Sequence, residues 1–547
     1  MVIEPTTQPG SGRDYGRSMV ISRQGIVATS HALASQVGAQ ILAEGGSAVD
    51  GAIAANVALG VLEPMMNGIG GDFFALHWDA KTQTLSGLNS SGPAPRKLSR
   101  ELLCSRGIRS MSEAGIHAVT IPGAVAGWAQ LHQRFGRAQW RQLFEAGIAY
   151  GERGFPVTEA IAEQWGVPSS VQKLRTCPES VRVFLPEHKA PVEGDLFVNP
   201  DLGRAYRILA EEGPRSFYEG RIADAILRSM HDLGGLMSKE DLSCFSPEWV
   251  NPICIDYRDW KIYELPPNGQ GVAALEMLNI METLPTSPDG VLSPAEQHKR
   301  IESMKLAYAD LYRYCGDPRN SSIPVATLIS KKYAQQRSLL IDPVKANGAF
   351  RFGNIPGSDT VYFVVVDKEG NIASCIQSIF QNFGSGITVN GMGFTLQNRG
   401  GCFTLEPDHP NVLEGGKRPF HTIIPGFMER GDQHVGFGIM GGPNQPLAHA
   451  QFVSNVVDYG MNLQQAMESP RFTRNAATGR DALIESRFPA AAIAGLRAMG
   501  HDLTLRSQYS QEMGRGQAVM HDSKTRINYG ASDPRADGAA TPEPIRL

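Results

Sequence analysis

The sequence predicts a mixed α/β (α+β) fold, and two local patterns, a strand hairpin and a pair of helices, carry that expectation. Residues Val361–Val366 are almost wholly β-branched or aromatic, Lys368-Glu369-Gly370-Asn371 has turn chemistry, and residues 372–376 read as a second strand, so a buried hairpin is expected. Residues 31–44 have helical periodicity that stops at Gly45-Gly46, and Ala48–Leu62 is a run of small residues able to form a closely packed helix. By length, 547 residues would usually split into several domains of roughly 100–200 each, although one large layered α/β unit can absorb more, and composition does not choose between these.

Other segments are assigned by exclusion. Residues 67–72 are glycine-rich, but they lack a Gly-Lys-Ser/Thr sequence and follow a helix and Glu63-Pro64 instead of a strand, which argues against nucleotide binding. Between 135 and 350, helical segments such as 139–151 and 295–314 alternate with turns rich in proline and glycine. His298 and Glu302 stand four residues apart, a spacing compatible with metal ligation. No His-Glu-x-x-His arrangement accompanies them and charges alternate with Leu306 and Tyr308, so the solvated face of an amphipathic helix is expected and no metal is invoked. Residues 348–358 read as a flexible linker.

The formal net charge of −4, with scattered basic residues, gives no reason to expect nucleic acid as a partner; a small-molecule substrate is the more natural one. The seven cysteines show no CxxC spacing and are odd in number, which suggests a reducing compartment. Residues 1–17 lack the apolar core of a secretory signal and no apolar stretch is long enough to span a membrane, so a cytoplasmic protein is expected. No motif supports PLP, flavin, NAD or another cofactor.

Thr360 stands where the linker becomes the apolar strand. A cut between Asp359 and Thr360 would give one residue both a hydroxyl nucleophile and a free α-amine, whose ordinary pKa of about 8 suits a general base near neutral pH. Threonine at a strand start is ordinary by itself, so the functional reading rests on the motifs around it. In order they are Gly45-Gly46-Ser47-Ala48-Val49-Asp50-Gly51, Leu62-Glu63-Pro64, Gly68-Ile69-Gly70-Gly71-Asp72, Ile121-Pro122-Gly123-Ala124-Val125-Ala126-Gly127-Trp128 and Pro266-Pro267-Asn268-Gly269-Gln270-Gly271. The Thr360 hairpin, Phe383-Gly384-Ser385-Gly386, Lys417-Arg418-Pro419, Gly441-Gly442 and Gly530-Ala531-Ser532-Asp533-Pro534-Arg535 follow. This ordered set resembles the γ-glutamyltranspeptidase family of N-terminal-nucleophile hydrolases.

The resemblance implies a four-layer αββα sandwich with a helical extension. It also implies self-cleavage at Asp359-Thr360: after an N-terminal tail (1–20), a large chain (21–359) and a small chain (360–547) would stay together as one intertwined domain, and a dimer of such heterodimers is left open. Thr360 would be nucleophile and amine base, Ser378 would orient the amine, and the backbone N–H groups of Gly441 and Gly442 would form the oxyanion hole. The positions that grip a glutamyl headgroup in the family have changed here: they fall at Ser91, Phe380, Arg399, Cys402, His421 and Thr422. Cys402 removes a counter-charge for a substrate ammonium, while Arg399 adds a planar fork suited to a carboxylate. Phe380 either fills the headgroup volume or faces away. Only a short segment separates Phe403 from Lys417, so the lid of many relatives is expected to be missing. This pattern looks most like the branch that includes oxamate amidohydrolases of purine-ureide breakdown, and hydrolysis of oxamate or another small carboxylate-bearing amide is expected. The alternatives are a γ-glutamyl transpeptidase or glutathione hydrolase, a dicarboxylyl β-lactam acylase, and a catalytically silent binding homologue.

Overall fold

The apolar run Val361–Val366 pairs antiparallel with Ile372–Ser378, and every residue of both strands is buried. Asp367 closes the turn by accepting the N–H groups of Glu369 and Asn371, and Gly370 takes the positive φ of +90° that the turn requires. In the computed structural model, which describes residue 13 and residues 15–348, 360–474 and 480–545, this hairpin is central in a seven-stranded sheet. Strand Ile26–Thr29 lies on one side of it and Asp72–Asp79 on the other. A second seven-stranded sheet, which includes Gln433–Met440 and Arg515–Asp522, packs against the first.

Helices cover both outer faces, so the expected four-layer αββα sandwich is the observed fold. Ala48–Leu62 is buried along its whole length, and its small residues let it lie against both hairpin strands and the neighbouring helix Ala32–Ala43. Its N-terminus is fixed by a capping box between Ser47 and Asp50, and Asp50 also accepts the N–H groups of Arg137 and Ala138. On the opposite side, Gly271–Glu282 and Gln445–Val457 cover the second sheet, and Pro294–Tyr314 packs on Gly271–Glu282. Short helices between residues 145 and 243 form the extension. Each large sheet contains strands from before and after residue 360, so a cut there would leave the two pieces interlocked.

One expectation fails. Helix Pro294–Tyr314 does not present a solvated face at His298 and Glu302, which are 2% and 0% exposed. Its charges are neutralised along the helix, Lys299 and Arg300 on Glu296 and Lys305 on Glu302, and this local pairing lets a charged sequence be buried. His298 Nδ1 lies 2.8 Å from His501 Nε2, and its Nε2 donates to the Asp342 carbonyl. These two histidines and Glu302 have metal-ligand spacing, but the Lys305 ammonium, 2.6 Å from Glu302, already supplies a cation there. All seven cysteines are free thiols. No helix among the described residues is long and apolar enough to cross a membrane. Asp359 and all of the expected linker except Gly348 lie outside the described residues.

Helix Ala32–Ala43 begins with His31, whose Nδ1 accepts the Leu33 N–H, and burial lowers the His31 pKa from 6.5 to about 4. The unfolded chain therefore binds this proton first, so the contribution is complete above pH 6.5 and is lost as pH falls toward 4. At about 1.4 kcal/mol per unit, the loss approaches ~3 kcal/mol. In urea unfolding at pH 7 and pH 5, His31→Asn, which keeps a cap acceptor, is expected to show a shallower loss than the wild type.

Candidate active site

Strand register assembles the site. Val361 pairs with Gln377, so the next residues outward, Thr360 and Ser378, meet at the same end of the hairpin, and Ser378 pairs on its other side with Asp72. Thr360 Oγ1 donates to Ser378 Oγ across 3.2 Å. Ser378 Oγ also receives the Phe380 N–H at 2.8 Å and Arg399 Nη2 at 3.2 Å. Thr360, Ser378 and Arg399 are fully buried.

Arg399 donates through Nη1 to Thr422 Oγ1 at 2.7 Å and lies 4.0 Å from Cys402 Sγ. Its guanidinium stacks 4.3 Å from the centre of the Phe380 ring, so Phe380 faces the pocket. That orientation requires a φ of +78° at Phe380, in a region bulky residues rarely adopt. No carboxylate among the described residues forms an ion pair with Arg399, and its Nε has no hydrogen-bond partner. Burial disfavours its charge, opposed by Cys402 and Asp72. Burial also pushes the Cys402 thiol up to about 11, so Cys402 stands beside Arg399 as a neutral group.

Asp72 is the polar hub beneath this pocket. Its Oδ1 accepts the N–H groups of Gly92 at 3.0 Å and Gly123 at 3.1 Å and Gln397 Nε2 at 2.9 Å; its Oδ2 receives His421 Nε2 at 3.0 Å. Burial raises the Asp72 pKa to about 7 against the pull of Gln397, Arg399 and the two backbone donors. His421 Nδ1 accepts the Ile423 N–H, which puts the ring proton on Nε2, and burial beside Arg399 and Arg418 drives the His421 pKa well below its ordinary value.

His421 therefore serves Asp72, and of the expected pair only Thr422 touches Arg399. Ser91 also points elsewhere: its Oγ donates to Asn89 Oδ1 at 2.8 Å and lies beside Asn268. Asp72, Gln397, Asn268 and Gln270 are structural partners that sequence reasoning did not single out. The available signal for Asp72 was an acid placed directly between Gly68-Ile69-Gly70-Gly71 and an apolar strand.

Gly441 and Gly442 follow strand Gln433–Met440 of the second sheet. A Cβ at Gly436 would lie 2.8 Å from Val364, and one at Gly438 would lie 2.3 Å from Tyr362, so this strand runs tightly across the hairpin toward Thr360. Gly441 and Gly442 have φ values of +138° and +56°, which favour glycine. Each carbonyl of this turn is held: Gly441 by Asn444 N–H, Gly442 by both Gln445 N–H and Gln270 Nε2, and Pro443 by the Tyr308 hydroxyl.

The family model described as Gamma-glutamyltranspeptidase matches residues 34–543. The chain belongs to the γ-glutamyltranspeptidase family. As a member it is an amide (C–N) hydrolase. It is 34% identical over 526 residues to a glutathione hydrolase-like YwrD proenzyme of Bacillus subtilis (strain 168), covering 95% of this chain and 99% of the relative. An oxamate amidohydrolase proenzyme of Klebsiella pneumoniae subsp. pneumoniae is 33% identical over 530 residues, covering 95% and 98%. The crystal structure of a cephalosporin acylase from Bacillus halodurans superposes with a TM-score of 0.90 at 38% identity, covering 99% of each chain.

Asp72→Ala leaves Gly92, Gly123, Gln397 and His421 without their shared acceptor. Breaking a buried charged network of this kind is expected to lower unfolding stability by about 3–5 kcal/mol, measured by urea denaturation at pH 8.

Proposed function

We propose that the chain is a self-cleaving threonine amidohydrolase acting on small amides that carry a carboxylate beside the scissile carbonyl, with oxamate the best match. In maturation, Thr360 Oγ attacks the Asp359 carbonyl, the peptide C–N bond breaks as an ester forms, and water cleaves the ester to release the Asp359 carboxylate and the Thr360 α-amine. In turnover, Thr360 Oγ attacks the substrate amide while the α-amine takes its proton and passes it to the leaving nitrogen. Water then hydrolyses the acyl ester. Ser378 would orient the amine, and the N–H groups of Gly441 and Gly442 would receive the developing oxyanion.

Arg399 is the observation that carries the substrate class. A fully buried guanidinium with no carboxylate partner among the described residues carries a charge that an anionic ligand would satisfy. It is one hydroxyl away from Thr360, through Ser378. A carboxylate on its fork would therefore stand next to a carbonyl at Thr360 Oγ, and oxamate joins those two groups by a single bond. The similarity to a cephalosporin acylase favours one second reading, removal of a dicarboxylic acyl group whose far carboxylate meets Arg399. The Phe380 ring, held in the pocket by a strained backbone, weighs toward the shorter acyl group.

Oxamate, glutaryl-p-nitroanilide and γ-glutamyl-p-nitroanilide, assayed with the purified protein, separate these readings. Oxamate is expected to have the highest kcat/KM, and γ-glutamyl-p-nitroanilide far above oxamate would overturn the proposal. Arg399→Gln is expected to raise the oxamate KM about 30–150-fold, the loss of one charge-assisted contact of about 2–3 kcal/mol.

A further inference from the structure

We propose that Gln270 is a positioning residue that aligns the oxyanion donors with the carboxylate pocket; the inference rests on the reading of Gly441-Gly442 as those donors. Gln270 is fully buried, and its single Nε2 donates both to the Thr422 carbonyl at 2.5 Å and to the Gly442 carbonyl at 2.7 Å. Only the NH2 end of the amide can meet two carbonyls, so the side-chain orientation is fixed by chemistry. Thr422 is the residue whose hydroxyl holds Arg399, and Gly442 follows the strand that runs toward Thr360. One side chain thus ties the wall of the anion pocket to the candidate oxyanion turn.

Two further observations point the same way. Gln270 Oε1 is buried without a hydrogen-bond partner, a cost that a residue kept only for packing would avoid by being apolar. The rest of its segment grips the same region: Asn268 Nδ2 donates to the Pro419 carbonyl, His421 N–H donates to the Asn268 carbonyl, and Gly269 bridges to His421. All these contacts run from before residue 359 to after residue 360, so they would survive the cut as contacts between the two chains.

Gly441 and Gly442 have no side chains and adopt backbone angles open to wide variation. The Gly442 carbonyl accepts the Gln445 N–H from within the turn and Gln270 Nε2 from outside it, so losing Gln270 removes the tie between the turn and the Thr422 segment and lets the adjoining N–H groups drift.

The test compares Gln270→Met, which keeps length and apolar volume, and Gln270→Glu, which offers oxygens to the same carbonyls, with the wild type. For both variants, hydrogen exchange of the peptide spanning 438–446 is expected to quicken at least tenfold. On the amide that the wild type hydrolyses best, kcat is expected to fall about 10–100-fold with KM within threefold, as for a weakened oxyanion donor. Unchanged exchange in that peptide overturns the inference whether or not any amide is hydrolysed. Quickened exchange with kcat within twofold of the wild type overturns it too. A wild type that cleaves none of the amides defeats the proposed function separately, and the exchange result still decides whether Gln270 holds the turn. A variant that misfolds shows faster exchange everywhere, whereas lost positioning is confined to 438–446 and the Thr422 segment.

Discussion

Strand Ile372–Ser378 pairs with Val361–Val366 on one side and Asp72–Asp79 on the other, and that double register brings Thr360, Ser378 and Asp72 to one end of the sheet. Because side chains alternate across a strand, a slip of one residue would send Ser378 to the opposite face and separate it from Thr360. Register here is enforced by burial on both faces: every residue of the hairpin strands is enclosed between the helices and the second sheet. The same enclosure raises the stakes for each polar group at the strand ends, because a buried donor or acceptor left unmet is costly.

The site solves that problem through shared partners. Asp72 collects four donors from four separate segments of the chain, and Arg399 donates N–H groups to Ser378 and Thr422 while its face stacks on the Phe380 ring. The acid and the guanidinium attract each other without touching, and each is affected by the other's charge. The positive φ at Phe380 fits the same pattern, since a backbone outlier persists only where its surroundings hold it, and here it holds an aromatic ring on a buried cation.

Much of this was legible in the sequence, and for identifiable reasons. The β-branched run, its turn and the helix Ala48–Leu62 follow from local chemistry and were read with nearly the observed bounds. Ser378, 18 residues after Thr360, was legible only through the family resemblance, because the local pattern ends the second strand at residue 376 and the observed strand runs on to Ser378. His421 and Ser91 were legible only as pocket positions, because which way a buried side chain turns depends on its partners, the distant Asp72 for His421 and both Asn89 and the distant Asn268 for Ser91. The burial of Pro294–Tyr314 was hidden for a related reason: alternating charges resemble a wet surface until their pairing along the helix is seen. Asp72 and Gln270 stand inside glycine- and proline-rich motifs, and no periodicity marks a residue whose work is to join loops.

The central claim is that Thr360 becomes the amino-terminal residue of a small chain. Intact mass and amino-terminal sequencing of the purified protein test it most directly. Two fragments, the smaller beginning Thr360-Val361-Tyr362-Phe363, are the expected result. A single uncut chain of 547 residues, stable through purification and prolonged incubation, would contradict the account.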